Sequence, residues 1–334
     1  MKRLPLEKLA NPQLLALVAV LLVNWLLFPN FFRITWQDGR FFGSLIDVIN
    51  RGAPVAILAV GMTGVIATKG VDLSVGAIMA VCGAVAATMV VAGYPTPVAV
   101  LAALAVGLAC GLWNGFLVAV LDIQPIIATL VLMVAGRGIA QLITEGSIVT
   151  FNDPALIFIG TGSFAGLPMA AVIAFTLMVL VTLLVRRTAI GLFIQAIGVN
   201  RAAASLAGIH SRMLLMLVYA LSGLCAAIAG VIVAADIRGA DANNSGLWLE
   251  LDAILAVVIG GTSLLGGKFS VPLAVVGALI IQAMNTGILV SGFPPEFNLI
   301  VKAGMIILIL MLQSPLVGNL LGFFKRDPKP ANSK

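Results

Sequence analysis

Long apolar runs, parted by short polar interruptions, dominate this chain. The first extends from Gln13 to Phe32 behind Lys2, Arg3 and Lys8. Others follow at about 53–69, 73–92, 96–121, 125–143, 166–185, 213–235, 252–267, 270–291 and 299–322. A membrane-crossing helix needs about 20 apolar residues, and most of these runs approach that length. The pattern predicts an all-α integral membrane protein with about ten transmembrane helices, some broken by glycine-rich segments, in a single domain over 1–334. The first run is too long for the core of a signal peptide and no A-x-A site follows, so it reads as a retained helix.

Composition agrees. Hydrophobic residues make up 61% of the chain and charged residues 10%, with a mean hydropathy of +1.16. Soluble domains carry roughly 45–50% apolar and about 25% charged residues. This excludes a soluble enzyme, a nucleic-acid binder and a disordered scaffold. The net charge of +6 then bears on orientation. With the amino terminus in the cytoplasm and alternating spans, Lys2, Arg3, Lys8, Lys69, Arg186, Arg187, Arg201, Arg212, Lys268, Lys325, Arg326, Lys329 and Lys334 fall inside. Only Arg33, Arg40, Arg51, Arg238 and Lys302 fall outside, and Arg137 stays within a span. Basic residues concentrate on the cytoplasmic side of membrane proteins, so both termini are expected there.

Cys82, Cys110 and Cys225 lie inside apolar runs, and His210 has no acid or cysteine close in sequence, so neither a disulfide framework nor a metal site is indicated. With one histidine and no aspartate-rich run, an intramembrane enzyme lacks its reacting groups. Ala56 to Val60 recurs as Ala253 to Val257, which is too little to establish a repeat.

Four groups of residues stand out. Segment 186–212 is too polar to span. Within it Asn200 suits an N-cap, Arg201, Ala202, Ala203, Ala204, Ser205, Leu206 and Ala207 favour helix, and Gly208 suits the residue after it. It is either an ordinary basic inner loop or a docking helix for a cytoplasmic partner. In segment 61–76, glycines 61, 64, 70 and 76 interrupt an apolar stretch, and Asp72 and Ser74 can cap a helix starting near Leu73. This is a tight cytoplasmic turn or a broken helix lining a cavity. Gly260 to Gly267 is a matching interruption, and paired interruptions mark transport paths. It is no phosphate loop, since Thr262 stands where the first glycine is needed. The third group comprises the polar residues within spans, Asn114, Thr129, Arg137, Gln141, Gln282 and Asn285, with Gln124 at a span mouth. A buried guanidinium costs at least about 2.5–3.5 kcal/mol by insertion scales, so Arg137 either snorkels, pairing with Glu145, or lines a polar path. Lastly, 236–252 is rich in acids and amides and is either a solvated outer loop or a landing surface.

Taken together, GVDLSVG at 70–76, GLWNG at 111–115, QPIIATLVLMVAGRG at 124–138, AIGVNRAAASLAGI at 196–209 and AILAVVIGGTSLLGG at 253–267 resemble the permease family of ribose-type ABC sugar importers. The resemblance covers about residues 13–322. ADIRGADANN, LWLELDAILAVVIGG and SGFPPE at 291–296 look most like the galactofuranose-importing branch of that family. The resemblance implies a non-enzymatic permease in a bacterial inner membrane that carries galactofuranose or a similar monosaccharide from periplasm to cytoplasm. It implies a second permease subunit, paralogous or identical, and a periplasmic sugar-binding protein. It further implies a cytoplasmic ATPase that holds ATP and Mg and docks on the 200–208 coupling helix. The substrate path would draw on Asp72, Ser74, Asn114, Gln124, Thr129, Arg137, Gln141, Gln282 and Asn285. The competing reading is a secondary sugar transporter driven by an ion gradient. Such proteins usually keep a titratable carboxylate at mid-membrane, whereas every acid here is expected at or near a span end.

The topology is testable by thiol labelling. Single cysteines at Lys2, Ser205 and Lys334 in a cysteine-free background should resist an impermeant reagent in intact cells, and one at Asp241 should react. Labelling of Ser205→Cys from outside would overturn the arrangement.

Overall fold

The computed structural model describes residues 11–313 apart from positions 29, 38, 293 and 295. Lys2, Arg3, Lys8 and the basic residues from Lys325 onward lie outside them. The chain divides into two compact units, residues 1–287 and 288–334. In the first unit the helices are α1 (Pro12–Leu27), α2 (Ser44–Ala67), α3 (Val75–Val91), α4 (Thr96–Ala119), α5 (Pro125–Ile143), α6 (Pro154–Thr161), α7 (Met169–Arg187), α8 (Ile190–Val199), α9 (Arg201–Leu206), α10 (Ser211–Asp236) and α11 (Leu249–Ile259). Helix α12 (Val271–Val290) runs on into the second unit, whose described helix is α13 (Phe297–Gln313). Among the described residues, α2, α4, α5, α7, α10 and α12 are long and apolar enough to cross a membrane. The protein is mostly helical, as the hydropathy pattern requires.

The interhelical segments gather in two sets. In one, the Gly267 amide donates to the Ala67 carbonyl at 2.9 Å, Lys69 reaches the Val199 carbonyl at 3.1 Å, and Arg201 pairs with Asp122. In the other, strands β1 (Val149–Thr150) and β2 (Gly239–Ala240) pair antiparallel. There too, Thr96 donates to Asp153 at 2.7 Å and Arg40 to the Thr161 carbonyl at 2.8 Å.

Several elements differ from the hydropathy reading. Helix α2 begins at Ser44 rather than near residue 53, so Asp47, Asn50 and Arg51 are helical. A carboxylate in the first turn complements the helix dipole, and the sharp drop in hydropathy there concealed the helix start. Pro54 sits inside α2. Helix α11 stops at Ile259, and GGTSLLGG forms turns, with Gly261, Gly266 and Gly267 at positive φ. Helices α6 and α8 arise in stretches expected to be loop.

Helix α10 is the centre of the first unit. Helix α4 presents Gly107, Gly111 and Gly115, one per turn, to it. A Cβ on Gly115 would stand 2.8 Å from the Met216 Cα, and one on Gly111 would collide with the Tyr219 carbonyl. Gly223 answers from α10 against Gly107 and Gly111, and Gly230 lies against Met79 of α3. On the α2 side, a Cβ on Gly61 would stand 2.9 Å from the Ser222 Cα. Small residues replace side-chain interdigitation with backbone contact, the close packing that membrane helices favour.

Gly111→Val forces α4 and α10 apart. Overpacking costs about 1–3 kcal/mol, and the purified permease should melt correspondingly lower. Gly138 has open space around its Cβ position. Gly138→Ala should be neutral or gain about 0.5–1 kcal/mol, the usual helix preference. Equal melting of the two variants would rule out the seam.

Candidate functional site

Between α2 and α3 the chain leaves helical geometry for residues 68–74, yet Asp72 and Ser74 are fully buried. Their polar atoms therefore need partners inside the protein. Asp72 Oδ1 accepts from the Ser74 amide at 3.0 Å and the Ser74 hydroxyl at 2.6 Å. Its Oδ2 accepts from the Ser222 hydroxyl of α10 at 2.8 Å. Ser74 Oγ in turn accepts from Asn114 Nδ2 of α4 at 2.8 Å. The backbone is secured as well, since the Leu73 amide donates to Thr129 Oγ1 of α5 at 3.2 Å. The broken segment is thus tied to three helices, to α10 through Asp72, to α4 through Ser74 and to α5 through the Leu73 amide. Ser74 holds the N-cap position of α3 without bonding the first turn through its side chain. The cap expected from Asp72 is replaced by this tertiary network.

A second non-helical segment meets the first. Residues 241–248 lead into α11, and Gly246, at φ +73°, lies against Gly76 in the first turn of α3. A Cβ on Gly76 would stand 2.5 Å from Glu250 Oε2. Glu250 and Asp252, in the first turn of α11, are buried, and Glu250 Oε2 has no hydrogen-bond partner. Arg137 neither snorkels nor pairs with Glu145. Its Nη1 donates to the Ala242 carbonyl at 3.1 Å and the Ser245 carbonyl at 2.6 Å. Gln141 adds a 2.8 Å bond to Asn243. Helix α5 therefore clamps the 241–248 segment. Asp241 folds back on it, with the Asn244 amide and the Asn243 and Asn244 backbone N–H groups holding its carboxyl below the usual range.

At the other end, Asn200 accepts from the Ala203 amide at 3.0 Å and caps the short α9. Gly208 follows at φ +87°. Arg201 binds Asp122 at 2.8 Å and the Ala119 carbonyl at 3.1 Å, and Ser205 bonds Ser211 at 2.8 Å. Ala204 turns inward, whereas Leu206 is 92% exposed.

The nine residues offered as a substrate path do not form one group. Asp72, Ser74, Asn114 and Thr129 are joined directly. Arg137 and Gln141 hold the neighbouring segment, and Gln124 lies near the turn that carries Asp122. Gln282 and Asn285 sit apart on α12, where Gln282 packs against Gly52 of α2 and bonds Thr286 at 3.4 Å. Asp72, Glu250 and Asp252 do lie at helix ends, as expected, but all three are buried there. Helix breaks carry these acids inward, which hydropathy alone does not register. The sequence reading passed over Ser222 and Tyr219. The only signal at either was a polar atom on an otherwise apolar helix.

Residues 44–310 match the family described as the permease component of branched-chain amino acid transport systems. The chain belongs to this family and is a multi-pass membrane permease component. It is 63% identical over 303 residues to the galactofuranose transporter permease YtfT of Escherichia coli K12, covering 91% of this chain and 89% of that one. It is 42% identical to the fructose import permease FruF of Bifidobacterium longum, over 94% and 90% of the two chains. With the ribose import permease RbsC of Escherichia coli K12 it shares 39% identity, over 90% and 92%.

The Asp72 network makes a discriminating pair of variants. Ser222→Ala leaves Asp72 Oδ2 buried without its donor, a loss of about 1–3 kcal/mol. Asp72→Asn keeps every bond if the Ser222 hydroxyl turns to accept, and it should melt no lower than the parent. A larger loss in Asp72→Asn than in Ser222→Ala would mean that the carboxyl group has another partner.

Proposed function

We propose that this chain is the membrane-spanning permease subunit of an ATP-driven ABC importer, carrying galactofuranose or a closely similar monosaccharide from periplasm to cytoplasm across a bacterial inner membrane. The observation that carries the substrate class is the 63% identity to a galactofuranose transporter permease over nine-tenths of both chains. The family description names amino acids, but three relatives matched over 89–92% of their length are permeases for sugars.

In this reading about ten spans place both termini in the cytoplasm. The gathering of the 68–74, 120–124, 188–210 and 260–270 segments at one end supports that arrangement, since alternation puts them all on the inner side. The translocator contains a second permease, a copy or a paralogue, and receives sugar from a periplasmic binding protein. ATP and Mg belong to a separate cytoplasmic ATPase that docks on α9. The exposed Leu206, Ala202 and Ala203 on a capped and tethered short helix support this assignment. A two-turn helix is marginal alone in water. Here its cap, the Arg201–Asp122 pair and the Ser205–Ser211 bond hold it as a firm lever.

The broken segment at Asp72, with the 241–250 segment against it, is the closed part of the path. Both are irregular backbone inside a helical bundle, tolerated where protein buries it, and helices that start in the interior are a recurring feature of transporters. The buried acids favour a second reading, ion-gradient-driven uptake. Membership of a family whose relatives include an ABC transporter permease weighs against it, as does a carboxyl group already engaged by Ser74 and Ser222.

Ala203→Glu or Leu206→Glu places a charge in a desolvated contact. Uptake and sugar-stimulated ATP hydrolysis by the reconstituted complex should fall at least tenfold, with insertion and sugar capture by the binding protein unchanged. Normal transport in both variants would move the ATPase contact elsewhere. ATP-independent uptake driven by a proton gradient in proteoliposomes would establish the second reading.

A further inference from the structure

Where the 68–70, 118–125 and 197–202 segments converge, they leave a half-open cavity of about 530 Å³. Thr68, Lys69 and Gly70 form one wall, Asp122 and Gln124 another, and Tyr219 the floor. Small-molecule sites commonly span about 300–1,000 Å³. Three observations set this hollow apart from a surface dent.

The first is Tyr219. It is fully buried, and its hydroxyl has no hydrogen-bond partner. A Cβ at Gly70, in the cavity wall, would stand 2.5 Å from that oxygen. An unpaired buried hydroxyl is unfavourable, and phenylalanine would fill the same space without it. The second is backbone conformation. Lys69 and Asp122 adopt positive φ, 64° and 57°, a region that residues with a Cβ rarely occupy and that clusters at functional sites. Both line this cavity. The third is the state of its charges. Lys69 is engaged by the Val199 carbonyl, and Arg201 by Asp122 and the Ala119 carbonyl. Among the described residues no hydrogen bond ties the Gln124 side chain. The Gln124 amide and the Tyr219 phenol are uncommitted neutral donors and acceptors, which suit hydroxyl groups.

We propose that this cavity is a monosaccharide site at the cytoplasmic end of the permease, bound through Tyr219 and Gln124. It rests on the sugar-import reading above. Only Val71 parts its wall in sequence from Asp72, so a sugar released by the Asp72–Ser74 closure arrives here before leaving.

The test uses the full-length permease in complex with its ATPase, in inside-out vesicles, with Cys82, Cys110 and Cys225 changed to alanine and Ile123→Cys as reporter. Ile123 lines the cavity. Labelling by an impermeant maleimide is timed with D-galactose, D-fructose, D-ribose or L-leucine outside the vesicles, and uptake of the same sugars is measured in right-side-out vesicles supplied with the periplasmic binding protein. A sugar that the complex imports should slow labelling at least fivefold, and leucine should not. Tyr219→Phe and Gln124→Ala should each raise the half-protecting concentration at least tenfold, with Tyr219→Phe melting no lower than the parent. Normal uptake without protection by the imported sugar overturns the site alone. Unchanged protection in Tyr219→Phe, or protection by leucine but no sugar, also overturns it. Absence of uptake for every sugar removes the sugar-import reading itself, and the site with it.

Discussion

The backbone contact between α4 and α10 is the constraint on which the rest of the structure depends. Three glycines spaced one turn apart on α4 bring its main chain against Tyr219, Gly223 and Ala227. With no side chains between them, the two helices share polar neighbours directly. Asn114 lies on the same stripe of α4 as Gly107 and Gly111, and Ser222 precedes Gly223 on α10. Both reach the 68–74 segment, Asn114 through Ser74 and Ser222 through Asp72. Had either helix carried larger residues at the crossing, Asn114 and Ser222 would stand too far apart to hold one buried loop between them.

That loop illustrates how irregular backbone is kept within a helical bundle. The carboxyl group of Asp72, the hydroxyl of Ser74 and the hydroxyl of Thr129 supply from side chains the hydrogen bonds that a helix would supply from its own backbone. Segment 241–248 follows the same logic, with Arg137 answering two of its carbonyls. The two segments touch at Gly76 and Gly246, where neither glycine tolerates a Cβ. Each is held by a few directional bonds and not by a broad apolar face.

At the opposite pole from the β1–β2 pair, α9 is bound to the rest of the chain by few but specific links. The Arg201–Asp122 pair is too exposed to contribute much stability. Its value is geometric. Asp122 stands in the α4–α5 turn, and α5 carries Thr129 to the broken segment, so α9 and that segment are joined through covalent chain and two hydrogen-bonded contacts. The cavity floored by Tyr219 lies along this same route.

Much of this was legible in the sequence. Apolar run length marks the membrane helices because a bilayer admits little else. The Asn200 cap and Gly208 mark α9 because capping is local. The motifs at 70–76, 111–115 and 124–138 flagged Asp72, Ser74, Asn114 and Thr129, since polar groups within apolar helices are rare. Tertiary structure alone decided which of them meet. Gln282 has the same chemistry as Asn114 but faces α2, and Arg137 bonds carbonyls more than a hundred positions away. Tyr219 is one polar atom in an apolar helix, and only the fold shows its hydroxyl buried against Gly70 without a partner. Helix content and caps follow from neighbours within a turn or two. The partner of a buried polar group depends on where distant backbones cross, and here glycine contacts set that crossing.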